Sequence, residues 1–241
     1  MSRRTIKINT SNNEGVDPRL QIGIISRRNE VAQKVTLKTE DGFILAGDFY
    51  PVADFNGSSI VLMHQFRRSK KDWIRFAPAL QTKGYNVLAI DMRGHGESSG
   101  NYNDFSDEIY KKMILDAKAA IDFLKTKKEE TKIILIGASI SANTAINAGA
   151  LYKSNAVIAL SPGLDYHDVK PQEGIKKYKN PLLIVVAKDD AYSQESAQTL
   201  FNESPSKNKK LEVYEKGGHA IFMFDTNPVE KLIIDWLKNS L

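Results

Sequence analysis

From residue 35 onward the apolar positions change period repeatedly: short continuous runs alternate with stripes spaced three and four apart. Residues 35–38 and 43–50 read as two strands joined by the tight turn Glu40-Asp41-Gly42, because an Asp-Gly pair between strand-like segments favours a hairpin; Pro51 ends the pair. Residues 59–63, 86–90, 132–136, 156–160 and 182–186 are short, mainly apolar runs, as expected of strands buried on both faces of a parallel sheet, and 211–214 adds a last strand.

Between these runs the period lengthens. Residues 69–81 predict a helix capped by Ser69, with Asp72 near its positive end and Trp73, Ile74, Ala77 and Leu80 on one face; the interior Pro78 predicts a kink or break, and Gly84 closes the element. Residues 107–125 place Tyr110, Met113, Ile114, Ala117, Ala120, Ile121 and Leu124 at core-facing spacing. Helices are also expected over 141–151 and 193–202. The terminal helix carries Asn227 as cap, Pro228 in the first turn and Glu230 as capping-box partner, ahead of a stripe of Val229, Leu232, Ile233, Trp236 and Leu237. Such alternation of strand and helix predicts an α/β fold whose sheet is mostly parallel, with right-handed crossovers. One domain over 31–241 accounts for it, preceded by a polar segment, 1–30, with no clear period.

Composition narrows the classes. With 41% hydrophobic and 26% charged residues the chain is an ordinary globular protein, and its charge of +5 comes from scattered lysines that read as solvated faces, so no nucleic-acid partner is expected. The absence of cysteine removes disulfides, thiolate metal sites and a cysteine nucleophile. No apolar run reaches the length of a membrane span, and 22–25 is too short for a signal-peptide core, so a cytoplasmic location is the expectation.

Candidate chemistry gathers at strand ends. Gly137-Ala138-Ser139-Ile140-Ser141 joins a buried strand to a small-residue helix, a turn that lifts a serine hydroxyl out of the sheet beside the positive helix N-terminus. A serine needs a base, and the base needs a carboxylate to orient it. Gly217-Gly218-His219 follows the last strand, and Lys188-Asp189-Asp190 follows the strand before it.

From residue 35 to the C-terminus the sequence resembles the α/β-hydrolases. His64-Gln65 resembles their His-Gly at the oxyanion strand, Asp91 to Ser98 their D-x-R-G-H-G-x-S stretch, and the elbow, acid loop and Gly-Gly-His follow in order. The resemblance implies an α/β-hydrolase fold: a mostly parallel central sheet with an N-terminal antiparallel hairpin and helices on both faces. It implies Ser139 as nucleophile, His219 as base and Asp190 as acid, the last chosen over Asp189 by its distance from Ala187. The N–H groups of Phe66 and Ile140 would form the oxyanion hole. Two positions depart from the pattern, Gln65 and Ser141 each standing where a glycine is usual.

Alternatives remain at several positions. Ser141 as nucleophile would set Asn143 where a small residue is needed, Asp165 is a second possible acid, His64 and His95 read as loop organisers, and His167 reads as either a solvated loop residue or a pocket residue. Arg67, Arg68, Lys70 and Lys71 are either a charged helix entrance or an attractor for an anionic substrate group. The crossover 161–180 is too short for more than a minimal lid, which predicts an open pocket bordered by Gln65, Phe66, Arg67, Leu164 and Tyr166 and a preference for short acyl chains. The expectation is therefore a serine hydrolase acting on a small carboxylic ester or thioester through an acyl-enzyme, with no metal or organic cofactor. An amidase, peptidase or acyltransferase, or a non-catalytic binding protein on the same fold, are the alternatives.

Overall fold

The computed structural model describes residues 32–241; the polar segment 1–30 lies outside the described residues. Eight strands form one sheet in the order β1-β2-β4-β3-β5-β6-β7-β8. These are β1 (Gln33–Lys38), β2 (Ile44–Tyr50), β3 (Ser58–Met63), β4 (Asn86–Ile90), β5 (Lys132–Ala138), β6 (Ala156–Leu160), β7 (Leu182–Ala187) and β8 (Lys209–Tyr214). β1 and β2 are an antiparallel hairpin and β2 pairs antiparallel with β4, while every pairing from β4 across to β8 is parallel.

Pleating explains why the central strands read as unbroken apolar runs. Ile60 and Leu62 face one side of the sheet with Val87 and Ala89, whereas Val61 and Met63 face the other with Leu88 and Ile90, so both faces must be covered. Helices α1 (Phe76–Gln81) and α8 (Val229–Ser240) cover the first face. Helices α3 (Met113–Lys127), α4 (Ile140–Tyr152) and α6 (Ala191–Glu203) cover the second, with the short α2 (Asp107–Lys111) and α5 (Gln172–Lys177) beside them. A further short helix, α7 (Met223–Thr226), precedes α8.

Three local expectations need correction. The segment 69–81 is not one helix: a 3₁₀ turn, Lys70–Trp73, is separated from α1, and Ile74 is exposed instead of facing the core. Pro78 is the cause, because its ring would collide with the carbonyl of Ile74, four residues back, in a continuous helix; as the third residue of α1 its missing N–H costs nothing. Ser69 makes no side-chain cap there. The segment 107–125 is likewise two helices, parted at Lys112, where ψ is 0°. Nor does Asn227 cap α8: its amide donates to the carbonyl of Lys216 at 2.7 Å, bracing the loop that carries His219.

Candidate active site

The carboxyl ends of β3, β5, β6, β7 and β8 converge on one rim, as the crevice rule for parallel sheets requires. At the end of β5 the chain turns into α4 within one residue, Ser139, whose φ of 58° and ψ of −124° lie outside the ordinary regions for a residue with a side chain. A Cβ on Gly137 would sit 2.0 Å from the carbonyl oxygen of Ser141, so glycine is obligatory there. Ile140 is the first residue of α4, and its N–H therefore has no intrahelical acceptor.

On the far side of the rim His219 follows β8. Its Nδ1 lies 2.7 Å from Oδ2 of Asp190, which follows β7, and a weaker contact of 3.4 Å joins Nδ1 to the Ser193 hydroxyl. That hydrogen bond places the Nδ1 proton toward the carboxylate and leaves Nε2 as the acceptor. Burial pushes the Asp190 carboxyl up, but hydrogen bonds from His219 and Ser193 outweigh it, and the group is held below the usual carboxylate value. Asp189 serves the loop instead of the ring. It accepts from the N–H groups of Gly217 (3.1 Å) and Gly218 (3.0 Å), which lower its pKa, and it latches the loop that presents His219.

Between the two sides lies a cavity of about 270 Å³ lined by Gln65, Phe66, Ser139, Ile140, Tyr166, His167 and His219. Of the residues expected to border it, Gln65, Phe66 and Tyr166 are there. Arg67 and Leu164 are not: Arg67, at φ 60°, lies over the ring of Phe66 at 5.3 Å, and Leu164 packs against the core. Burial pushes the Tyr166 phenol up to about 12, so it stays protonated, and its hydroxyl lies 3.0 Å from that of Ser193.

His167 is the lining residue that sequence reasoning left open. A left-handed φ of 51° turns it from the loop, and it stacks on Tyr110 (4.5 Å between centroids) and lies 4.9 Å from Phe66. The turn that aims it is made by Asp165, whose carboxylate accepts from the N–H of Asp168 at 2.8 Å. No hydrogen bond joins Asp165 to His219, so the alternative acid becomes a turn-former. Ser141 is withdrawn from chemistry too, fully buried and donating to the carbonyl of His64 at 2.6 Å.

Two of the four cations after Phe66 are engaged. Lys70 is buried and bonds Asp91 at 2.7 Å and Glu97, and Arg68 pairs with Asp72 at 2.7 Å, leaving Arg67 and Lys71 on the exposed surface. His64 and His95 organise the loops: His64 donates from Nδ1 to its neighbour's carbonyl at 2.7 Å and accepts at Nε2 from the N–H of Met92 at 3.0 Å, and burial holds its pKa down to about 4. Among the described residues no group of three His, Asp or Glu side chains is placed to hold a metal ion, and no helix is long and apolar enough to cross a membrane.

Comparison with known proteins agrees with this architecture. The family model described as "Serine aminopeptidase, S33" matches residues 56–176, half of the chain, a span that includes Ser139 and stops short of Asp190 and His219. The chain is 32% identical over 161 residues to the polyketide transferase af380 of Aspergillus fumigatus; the match covers 65% of this chain and only 52% of that protein. It is also 36% identical over 89 residues to an acyl transferase of Shewanella woodyi, covering 36% of this chain and 28% of the relative. An esterase from Pyrococcus furiosus superimposes with a TM-score of 0.73 at 23% identity, covering 87% of this chain and 92% of its own, a likeness of fold. With the elbow at the end of β5, the rim it shares with β7 and β8 and the span matched by the family model, the chain belongs to the serine aminopeptidase family of α/β-hydrolases.

Proposed function

We propose that this protein is a serine hydrolase that cleaves a small carboxylic ester or thioester through an acyl-enzyme. The observation that carries the reading is the pairing of Asp190 with His219 at 2.7 Å across one cavity from a serine held at φ 58° on the turn into α4. Ser139 Oγ attacks the substrate carbonyl as His219 Nε2 takes its proton, and Asp190 stabilises the resulting imidazolium. The N–H groups of Ile140 and Phe66 receive the oxyanion; among the described residues neither donates to a protein acceptor, so both are available. His219 then returns the proton to the leaving group and activates water to release the acid.

The cavity argues for a small, uncharged acyl group. Its volume of about 270 Å³ falls just below the range of ~300–1,000 Å³ typical of pockets for drug-sized ligands. Aromatic rings and histidines line it, and among the described residues no carboxylate does. An aminopeptidase must hold the ammonium group of its substrate, and a buried cation without a partner is costly, so ester or thioester cleavage is favoured over that activity. The crossover between β6 and β7 contributes one six-residue helix, α5, and the turn bearing Tyr166 and His167, which amounts to a minimal lid.

Transfer of the acyl group to an acceptor other than water is the second reading, favoured by the two relatives whose names denote transferases. A fluorophosphonate probe tests the reading: it labels the wild-type protein and not Ser139→Ala. Absence of labelling favours a binding protein that retains the fold. Turnover of p-nitrophenyl acetate with added alcohols then separates the two fates of the acyl-enzyme, since an acyltransferase yields the new ester in excess of free acid.

A further inference from the structure

The two positions where this chain departs from the usual glycines, Gln65 and Ser141, are joined through one segment. Ser141 lies two residues past Ser139, as the second residue of α4, and its buried hydroxyl donates to the carbonyl of His64 at 2.6 Å. Gln65 is the next residue, and its side-chain oxygen accepts from the N–H of Ile221 at 3.1 Å, two residues beyond His219. Its backbone carbonyl accepts from His64 Nδ1 at 2.7 Å and from the N–H of Arg68 at 3.2 Å. The carbonyls of His64 and Gln65 and the side-chain oxygen of Gln65 are therefore engaged, while among the described residues the N–H of the following Phe66 is not. The hydrogen bonds run from the nucleophile turn, through the oxyanion loop, to the loop of the base. Glycine at either position has no side chain with which to make them.

We propose that Ser141 and Gln65 act together as positioning residues that set the Phe66 N–H relative to the Ser139 hydroxyl, an inference that rests on the acyl-enzyme reading. Ser141 acts through the His64–Gln65 peptide, and Gln65, whose side chain borders the cavity, locks that peptide to the base loop through its side-chain oxygen. A loop donor is worth most when its direction is fixed before charge develops. Replacing Ser141 by glycine, the residue usual at this place, thus weakens catalysis instead of restoring it.

The experiment compares Ser141→Gly, Ser141→Ala, Gln65→Met and a double variant with the wild-type protein, using p-nitrophenyl acetate as substrate and phenylboronic acid as a tetrahedral mimic that bonds to the serine. Expected is a fall in kcat of about tenfold in each single variant, with KM changed by less than about twofold, boronate inhibition weakened by the same factor as kcat, and little further loss in the double variant. Retention of kcat within about twofold in Ser141→Gly overturns the proposal, as does a loss that only tracks the fraction of protein unfolded in a thermal scan. Should the Ser141 variants not fold, Gln65→Met, close to glutamine in shape, decides alone. Failure of the underlying reading looks different: the wild-type protein is then not labelled at Ser139 by a fluorophosphonate, whatever the variants do.

Discussion

Two clusters of charged and polar side chains stand at the same end of the sheet and differ in how completely they are satisfied. In the loop after β4, Arg93 is enclosed by carboxylates: Nε and the backbone N–H donate to Asp116 at 2.8 and 2.9 Å, the terminal nitrogens meet Asp41 at 2.9 and 3.1 Å, and Phe43 covers the guanidinium face. Beside it Asp91 takes the N–H groups of Lys70 (2.6 Å) and Glu97 (2.9 Å) as well as the Lys70 ammonium. At the rim of β5, β7 and β8 the side chain of His219 keeps 31% exposure, Ser139 sits at a positive φ, and among the described residues the N–H groups of Phe66 and Ile140 have no protein acceptor. The ion pairs of the first cluster are closed on one another and hold loops, although Nε2 of His95 in the same loop is buried without a protein partner among the described residues. The second is strained and incompletely paired, which is the condition under which polar groups do chemistry.

The comparison breaks most sharply at Ser139. Ser139→Ala removes one hydroxyl from a site that already demands a small residue, so turnover of p-nitrophenyl acetate should fall by about 10⁴-fold or more while the thermal unfolding midpoint stays put. Unchanged turnover would move the nucleophile elsewhere. Asp190→Asn should lower kcat by about 10⁴-fold, through loss of the correct histidine tautomer, whereas Asp189→Asn, which only loosens the latch on Gly217 and Gly218, should cost about tenfold or less. The reverse order in steady-state assays would exchange the two roles.

The satisfied cluster should answer in stability. Arg93→Met leaves Asp116 buried without its partner, and chemical denaturation should show a loss of about 3–5 kcal/mol, with kcat per folded molecule within about threefold of wild type. A fall in kcat without a fall in stability would place Arg93 in the chemistry.

The smallest effect is a matter of pH. Burial holds His64 neutral down to about 4, so the stability it contributes is present above the free-histidine value and is lost as pH falls from about 6.5 to about 4. Burial raises Asp116 to about 6 although Arg93 facing it pulls the other way; its folded form gains protons first, so it adds stability as pH falls through that value. Each is worth on the order of 3 kcal/mol at these shifts, and they oppose one another. Burial lowers His95 as well, which adds to the His64 side, so denaturation curves of the wild type should decline toward acid between pH 6.5 and about 4, and Asp116→Asn should steepen that decline. A flat profile in that variant would exclude both His64 and His95 as sources of pH dependence.

Much of this arrangement is legible along the chain because its physical causes are local. A strand buried on both faces has to be apolar at successive positions, as in β3, β5, β6 and β7, and a strand-to-helix turn this tight excludes side chains at Gly137. Hence the α/β order, the elbow and the position of the histidine loop can be read before any contact is known. Residue spacing also foretold a disruption at Pro78, though the break falls at Ile74 and Arg75, where the proline ring meets the carbonyl four residues back.

What only the tertiary structure decided depends on partners distant in sequence. Nothing near His167 announces that Tyr110 and Phe66 will hold its ring against the cavity, and nothing near Arg67 announces that it will lie outside. Lys70 looked like one cation of a surface cluster until Asp91, brought beside it by the crossover from β3 to β4, took it into the interior. Asn227 stands where a helix cap belongs, yet the carbonyl of Lys216 takes its amide. Local sequence determines which backbone conformations and burial patterns are affordable; the competition among polar groups for one another is decided by the folded sheet, because burial makes each unpaired donor or charge costly and only the three-dimensional neighbourhood supplies the partner.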